Sequence, residues 1–274
     1  MGRLFAKALK GGGFKVTIAG PRPERGQEAA KELGVAFEGD NLVAVKDADI
    51  VIITVPITKT IAVIQEVVPH MKKGALLMDL TSVKKAPCEA MMKAAPAGVE
   101  VVGCHPVFGP MVDDFKGQNF VFCPLRAGKA FLSFKEFVKK EGARITECQP
   151  EEHDQAMGVV QGMTHFMLIS AGVAMRNLDF DVEKSKAFSS PVYQLAMDLI
   201  GRILAQDPKL YAEIQIHNPE TARAREAFLK AAQKLENTVS SGYEAAFVEE
   251  MTAAARHFGD TKGALERTNK LLKK

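Results

Sequence analysis

The chain has 274 residues, 47% of them hydrophobic and 25% charged, with a net charge of +3. These are the proportions of an ordinary globular protein long enough for two compact cores, and the weak, dispersed positive charge speaks against a nucleic-acid partner. Cys88, Cys104, Cys123 and Cys148 form no CxxC pair and no zinc-ligand spacing, so they read as free thiols of a reducing compartment. The first ten residues lack the apolar core of a signal peptide. The longest apolar runs, such as 50–57, are strand-length rather than membrane-spanning. The expectation is a cytoplasmic protein with no membrane partner.

In chain order, 3–10 reads as a helix ended by Gly11-Gly12-Gly13, and 14–19 as a strand. A helix over 25–33 closes at Gly34. The β-branched run 48–55, bounded by Pro56, suits a strand buried on both faces. A helix over 58–68 follows, then strands at 75–80 and 99–104. Two further strands, 119–123 and 143–147, flank a helix over 129–140. Such alternation predicts a parallel, doubly wound sheet. From Glu151 the strand pattern stops. One long helix is expected over 151–177, then helices at 191–205, 208–216, 219–239, 243–257 and 261–272, with Asn218-Pro219 as a cap and first helical position and Gly259 as a C-cap. This divides the chain into a dinucleotide-binding domain, 1–149, and a helical domain, 150–274.

A dinucleotide fold opens with a strand, then GxGxxG, then a helix whose N-terminus holds the pyrophosphate. Here the sequence starts with Met1-Gly2 and the helix follows at once. Gly2 takes the place of the fingerprint's last glycine, and the expectation is an N-terminally truncated domain with a gap where its first, central strand belongs. A start codon placed too late would account for this. The second strand ends Ala19-Gly20-Pro21-Arg22, without the acid that NAD-preferring sites place there. Arg22 and Arg25 instead favour the 2′-phosphate of NADP, with NAD as the alternative. Val55 and Pro56 at a strand end, together with Ser82, are further candidates for cofactor contact.

Four segments carry the chemistry: Asp79-Leu80-Thr81-Ser82-Val83-Lys84; Gly103-Cys104-His105-Pro106-Val107-Phe108-Gly109-Pro110; Glu151-Glu152-His153-Asp154 running on to Gln161-Gly162-Met163-Thr164-His165-Phe166; and 200–208 around Arg202. The first two end predicted strands, where ligands of open α/β sheets bind. His153 and His165 lie twelve residues apart, about 120° around an ideal helix. They do not form a metal pair, and HExxH is absent. Met157, Met163, Met167 and Met175 read as packing residues, and His70, His217 and His257 as surface residues.

Taken together these segments resemble the prephenate dehydrogenase family over nearly the whole chain. The resemblance implies a Rossmann-type domain followed by an all-α dimerisation domain, a homodimer, and oxidative decarboxylation of prephenate to 4-hydroxyphenylpyruvate with NAD(P)⁺ in tyrosine biosynthesis. His105 then matches the catalytic histidine and Ser82 the residue orienting it. Arg202 matches the carboxylate-binding arginine, with Lys84, His153, His165, Gln206 and Tyr211 as further substrate contacts. Arogenate dehydrogenase is the nearest alternative. A β-hydroxyacid dehydrogenase, which relies on a lysine base, is disfavoured by GCHPVFGP, and a non-catalytic remnant that lost its cofactor site is the alternative from another class.

Overall fold

A computed structural model describes residues 1–272. It forms two compact units, Met1–Met157 and the residues from Gly158 onward.

The first unit alternates helices and strands: α1 (Gly2–Gly11), β1 (Thr17–Ala19), α2 (Pro23–Leu33), β2 (Ala36–Glu38), α3 (Asn41–Lys46), β3 (Ile50–Ile53), α4 (Ile57–Val67), β4 (Leu76–Asp79), α5 (Lys85–Ala94), β5 (Glu100–Pro106), β6 (Asn119–Arg126), α6 (Lys129–Lys140), β7 (Arg144–Glu147) and α7 (Pro150–Met157). β2 and α3 are absent from the sequence reading: each is too short for periodicity to register. Leu76 and Met78 of β4 enter one apolar cluster with Leu4, Phe5 and Phe134, whereas Leu77 enters another with Ile64, Cys88 and Met91. The alternation of β4 thus feeds cores on both faces, as a doubly wound sheet requires.

Two features of the sheet matter for the site. It is divided: β1 pairs in parallel with β2 alone, while β3-β4-β5-β6-β7 form a separate five-stranded sheet. Among the described residues no strand joins β1 to β3, which is the gap expected from the sequence. The apolar Ile50, Val51 and Ile52 of β3 are accordingly only half-buried. The sheet is also mixed rather than parallel throughout. β3, β4 and β5 run parallel, but β6 pairs with β5 antiparallel. The connection from Pro106 to Asn119 contains no crossover helix, and a strand following without a crossover returns antiparallel.

The second unit is helical. A π-helical turn, Gly158–Met163, precedes α8 (Thr164–Asn177). After it come α9 (Val182–Ser185), α10 (Pro191–Leu204), α11 (Pro208–His217), α12 (Pro219–Ser240), α13 (Glu244–Phe258) and α14 (Thr261–Leu272). The Asn218 side chain accepts from the Glu220 amide at 3.0 Å with Pro219 at the first helical position, as expected. The helical run Pro150–Asn177, 28 residues, contains an 18-residue window with a mean hydropathy of 1.3 and is by length and composition long and apolar enough to cross a membrane, a test that a core helix also passes.

Candidate active site

β5 carries His105 inside the strand, one residue before its end, with the residue 2% exposed. The residues beside it come from three other places: the end of β4 (Asp79), the turn Thr81-Ser82-Val83-Lys84, and α7 (His153 and Asp154). His105 Nδ1 lies 2.8 Å from His153 Nε2, and His153 Nδ1 lies 2.7 Å from Asp154 Oδ1. Asp154 also accepts the backbone amides of Lys84 at 2.7 Å and Lys85 at 3.0 Å. These amides open α5, whose start carries no local side-chain cap. The carboxylate seventy residues downstream therefore caps α5 and anchors the histidine pair at once.

The protonation pattern follows from this chain of contacts. Burial alone would raise the Asp154 carboxyl, but the bonds from His153 and from the Lys85 and Lys84 amides outweigh it and hold the group below its ordinary value. An ionised carboxylate only accepts, so His153 Nδ1 carries a proton. Burial keeps the His153 ring on the neutral side despite the opposing pull of Asp154. A neutral ring with hydrogen on Nδ1 has its lone pair on Nε2, so His105 donates to it from Nδ1. Burial, reinforced by His153 and the Lys84 ammonium, holds the His105 ring well below the usual histidine range. His105 is thereby the neutral tautomer with its lone pair on Nε2, the form a general base requires.

Lys84 is not the substrate contact expected from the sequence. Its side chain is fully buried. The ammonium pairs with Asp79, approaches the Thr81 hydroxyl at 3.3 Å and donates to the Cys104 carbonyl at 2.9 Å. Three donors thus meet three protein acceptors, and none remains for a substrate carboxylate. Gly103 makes room for the lysine stem: a Cβ there would lie 3.1 Å from Lys84 Cδ and 2.5 Å from Cys88 Sγ. Ser82 is half-buried beside this cluster and is not the cap of α5, which begins three residues later. The cysteines are free, and burial pushes the Cys88 thiol up to about 12.

The second unit collects the other expected residues. His165 meets Tyr211 edge-on, with ring centroids 4.8 Å apart, and its Nδ1 is buried without a hydrogen-bond partner. Burial raises the Tyr211 hydroxyl, opposed by nearby Arg202. Arg202 is exposed, with no ion pair among the described residues, and Gln206 donates to its carbonyl at 3.1 Å. A cavity of about 470 Å³ is lined by Phe166, Ile203, Gln206, Tyr211, Gln215 and Arg225. The sequence reading missed Arg225, whose guanidinium donates to the Gln215 carbonyl at 2.8 Å and to Thr221 Oγ1 at 3.1 Å. No local motif marks it. Asp79 and Asp154 were also missed as functional groups, although both stand inside motifs already singled out.

On the nucleotide side, α1 begins at Gly2, where a Cβ would lie 2.8 Å from Thr54 Oγ1 just beyond β3. This close helix–strand approach is the role of the last fingerprint glycine, so the residues present fit that part of a dinucleotide cradle. Val55 and Pro56 follow β3, and Arg22 stands exposed at the start of α2.

Residues 5–147 match the family described as prephenate dehydrogenase, nucleotide-binding domain. The chain belongs to the prephenate dehydrogenase family. Residues 149–253 match the companion family, prephenate dehydrogenase, dimerization domain. A relative from Methanocaldococcus jannaschii, named probable arogenate/prephenate dehydrogenase, is 42% identical over 262 residues, covering 94% of this chain and 59% of that protein. The T-protein of Enterobacter agglomerans is 32% identical over 95% of this chain and 65% of its own length. The chain thus spans about three fifths of the curated relatives it matches first. Among solved structures, prephenate dehydrogenase from Aquifex aeolicus in complex with hydroxyphenyl propionate and NAD⁺ shares the fold. Its TM-score is 0.77 at 20% identity, covering 94% of this chain and 93% of that one.

Proposed function

We propose that the chain catalyses the NAD(P)⁺-dependent oxidative decarboxylation of prephenate to 4-hydroxyphenylpyruvate, with His105 as general base. The observation that carries this reading is the Asp154–His153–His105 relay, which leaves His105 neutral with its lone pair on Nε2. Prephenate bears a hydroxyl on the ring carbon that gives up hydride and a carboxylate on the opposite ring carbon. His105 Nε2 takes the hydroxyl proton as the carbinol becomes a carbonyl. Loss of carbon dioxide then sends the bonding pair through the ring to the carbonyl oxygen, and protonation of the resulting phenolate gives the phenol. The proton taken by His105 makes its ring positive, and the relay to Asp154 stabilises that charge without giving up the His153 proton. Ser82, on the turn held by Asp79 and Asp154, would orient the substrate hydroxyl, as its match to the family implies. Arg202 carries a planar, unpaired guanidinium suited to bidentate binding of a carboxylate; His165, Gln206 and Tyr211 lie around it.

A nicotinamide dinucleotide, when bound, supplies the hydride acceptor. Gly2, Arg22, Val55, Pro56 and Ser82 are the residues that would hold it. The exposed Arg22 and the absence of an acid at the end of β1 favour NADP over NAD, and side-by-side kinetics with the two cofactors decide between them. Arogenate is the alternative substrate, supported by the double name of the Methanocaldococcus relative. A homodimer through the helical unit is supported by the matched dimerization family and by the exposed Met251 and Phe258 of α13.

His105→Asn tests the assignment. The expected result is a folded protein that still binds prephenate but turns over on the order of 10²–10⁴-fold more slowly. Near-normal turnover would overturn it.

A further inference from the structure

Beneath His105 lies a pair of buried charges that the reaction above does not use. Asp79 and Lys84 are both wholly shielded from solvent. The Asp79 carboxylate takes the Lys84 ammonium, the Thr81 hydroxyl and the Thr81 amide, the last at 3.0 Å, while its other oxygen faces the Cys104 amide at 3.4 Å. Lys84 Nζ in turn donates to the Cys104 carbonyl at 2.9 Å. The pair therefore grips both sides of Cys104, the residue immediately before His105. The Lys84 backbone amide is held by Asp154, the end of the histidine relay. A buried ion pair adds little net stability over apolar residues of the same volume, so stability alone gives little reason for charge at this place.

We propose that Asp79 and Lys84 are positioning residues for the reaction, clamping the peptide ahead of His105 so that its ring stays aligned with His153. This rests on the reading of His105 as the base. Gly103, between β4 and β6, leaves the space through which the lysine stem reaches the Cys104 carbonyl. A second effect follows from charge. The titratable groups acting on His105 are His153 from α7 and Lys84 from the turn before α5, with Asp154 bonded behind His153 and Asp79 behind Lys84. Lys84 is the fixed positive charge among them, and it opposes protonation of the ring.

The test compares Lys84→Met, which removes the ammonium, with the double variant Asp79→Asn/Lys84→Met, which replaces the pair by neutral groups and leaves no unpaired buried charge. Two readouts are followed. One is kcat and KM with prephenate and NAD⁺ or NADP⁺; the other is the pH titration of the His105 ring nitrogens by long-range ¹H–¹⁵N NMR, which does not depend on turnover. For Lys84→Met the expected results are a ring titration displaced to higher pH and a kcat lowered on the order of 10²-fold, with little change in KM. The double variant should regain the thermal stability that the single variant loses while staying slow. A double variant that is folded, fully active and unaltered in its His105 resonances would overturn the proposal, since the pair would then be structural only. A wild-type ring that is charged at pH 7, or that carries its proton on Nε2, would instead defeat the underlying assignment of His105 as base.

Discussion

Replacing Asp154 by Asn changes one oxygen for one NH2 group and tests the whole relay. The native carboxylate accepts three hydrogen bonds, from the Lys84 and Lys85 amides and from His153 Nδ1. Oδ1 takes both the Lys84 amide and His153 Nδ1, and Oδ2 takes the Lys85 amide. An asparagine keeps one acceptor, gains a donor and loses the negative charge. With its oxygen in the place of Oδ1 it still accepts from His153, but the charge that stabilises a positive His105 ring is gone. With its NH2 group there instead, His153 Nδ1 must hold a lone pair, and the His105 proton moves to Nε2, the atom that has to take the substrate proton. Either way kcat should fall, on the order of 10²–10⁴-fold. The weakened cap on α5 should lower stability by about 0.5–2 kcal/mol, too little to unfold an ordinary domain. Stopped-flow or steady-state absorbance of the reduced nicotinamide measures the first quantity and thermal denaturation the second, while ring-nitrogen chemical shifts report the tautomers directly. A kcat within a few-fold of wild type would refute the reasoning.

Acid should destabilise the protein through the same pair of rings. His105 and His153 are both depressed in the folded state, so the unfolded chain binds more protons once the pH drops below the free histidine value of about 6.5. Stability from these groups is therefore present above that pH and lost progressively below it. Melting temperatures between pH 7.5 and 5 should fall in the wild type and fall less steeply in His105→Asn. Gly103→Ala should lower stability by about 1–3 kcal/mol through overpacking against Lys84 and Cys88, measured by urea denaturation; an unaltered midpoint would mean that the lysine stem is not confined there. Arg202→Gln should raise KM for prephenate by roughly 10-fold or more with a smaller change in kcat, as loss of a charge-assisted carboxylate bond predicts. An unchanged KM would remove Arg202 from the site.

Much of this protein is written in local pattern. The helices from Pro191 to Leu272 are announced by apolar periodicity and by caps such as Asn218-Pro219, because helix boundaries depend on residues within a few positions of each other. The strands around Ile50 and Leu76 are equally plain as short β-branched or apolar runs, although only the second is buried throughout. GCHPVFGP names His105 directly. What sequence could not supply is which groups meet across long separations. β6 runs antiparallel because its connection lacks a crossover, a matter of pairing rather than strand propensity. Lys84 looks like an exposed cation in TSVK, yet Gly103 on a neighbouring strand opens the space that buries it against Asp79. Asp154 looks like one more acid in EEHD, and only the packing of α7 against α5 makes it both a helix cap and the end of a histidine relay. The residue types are fixed by sequence, but a proton's location on a buried ring depends on distances and burial, and those arise only when the chain is folded.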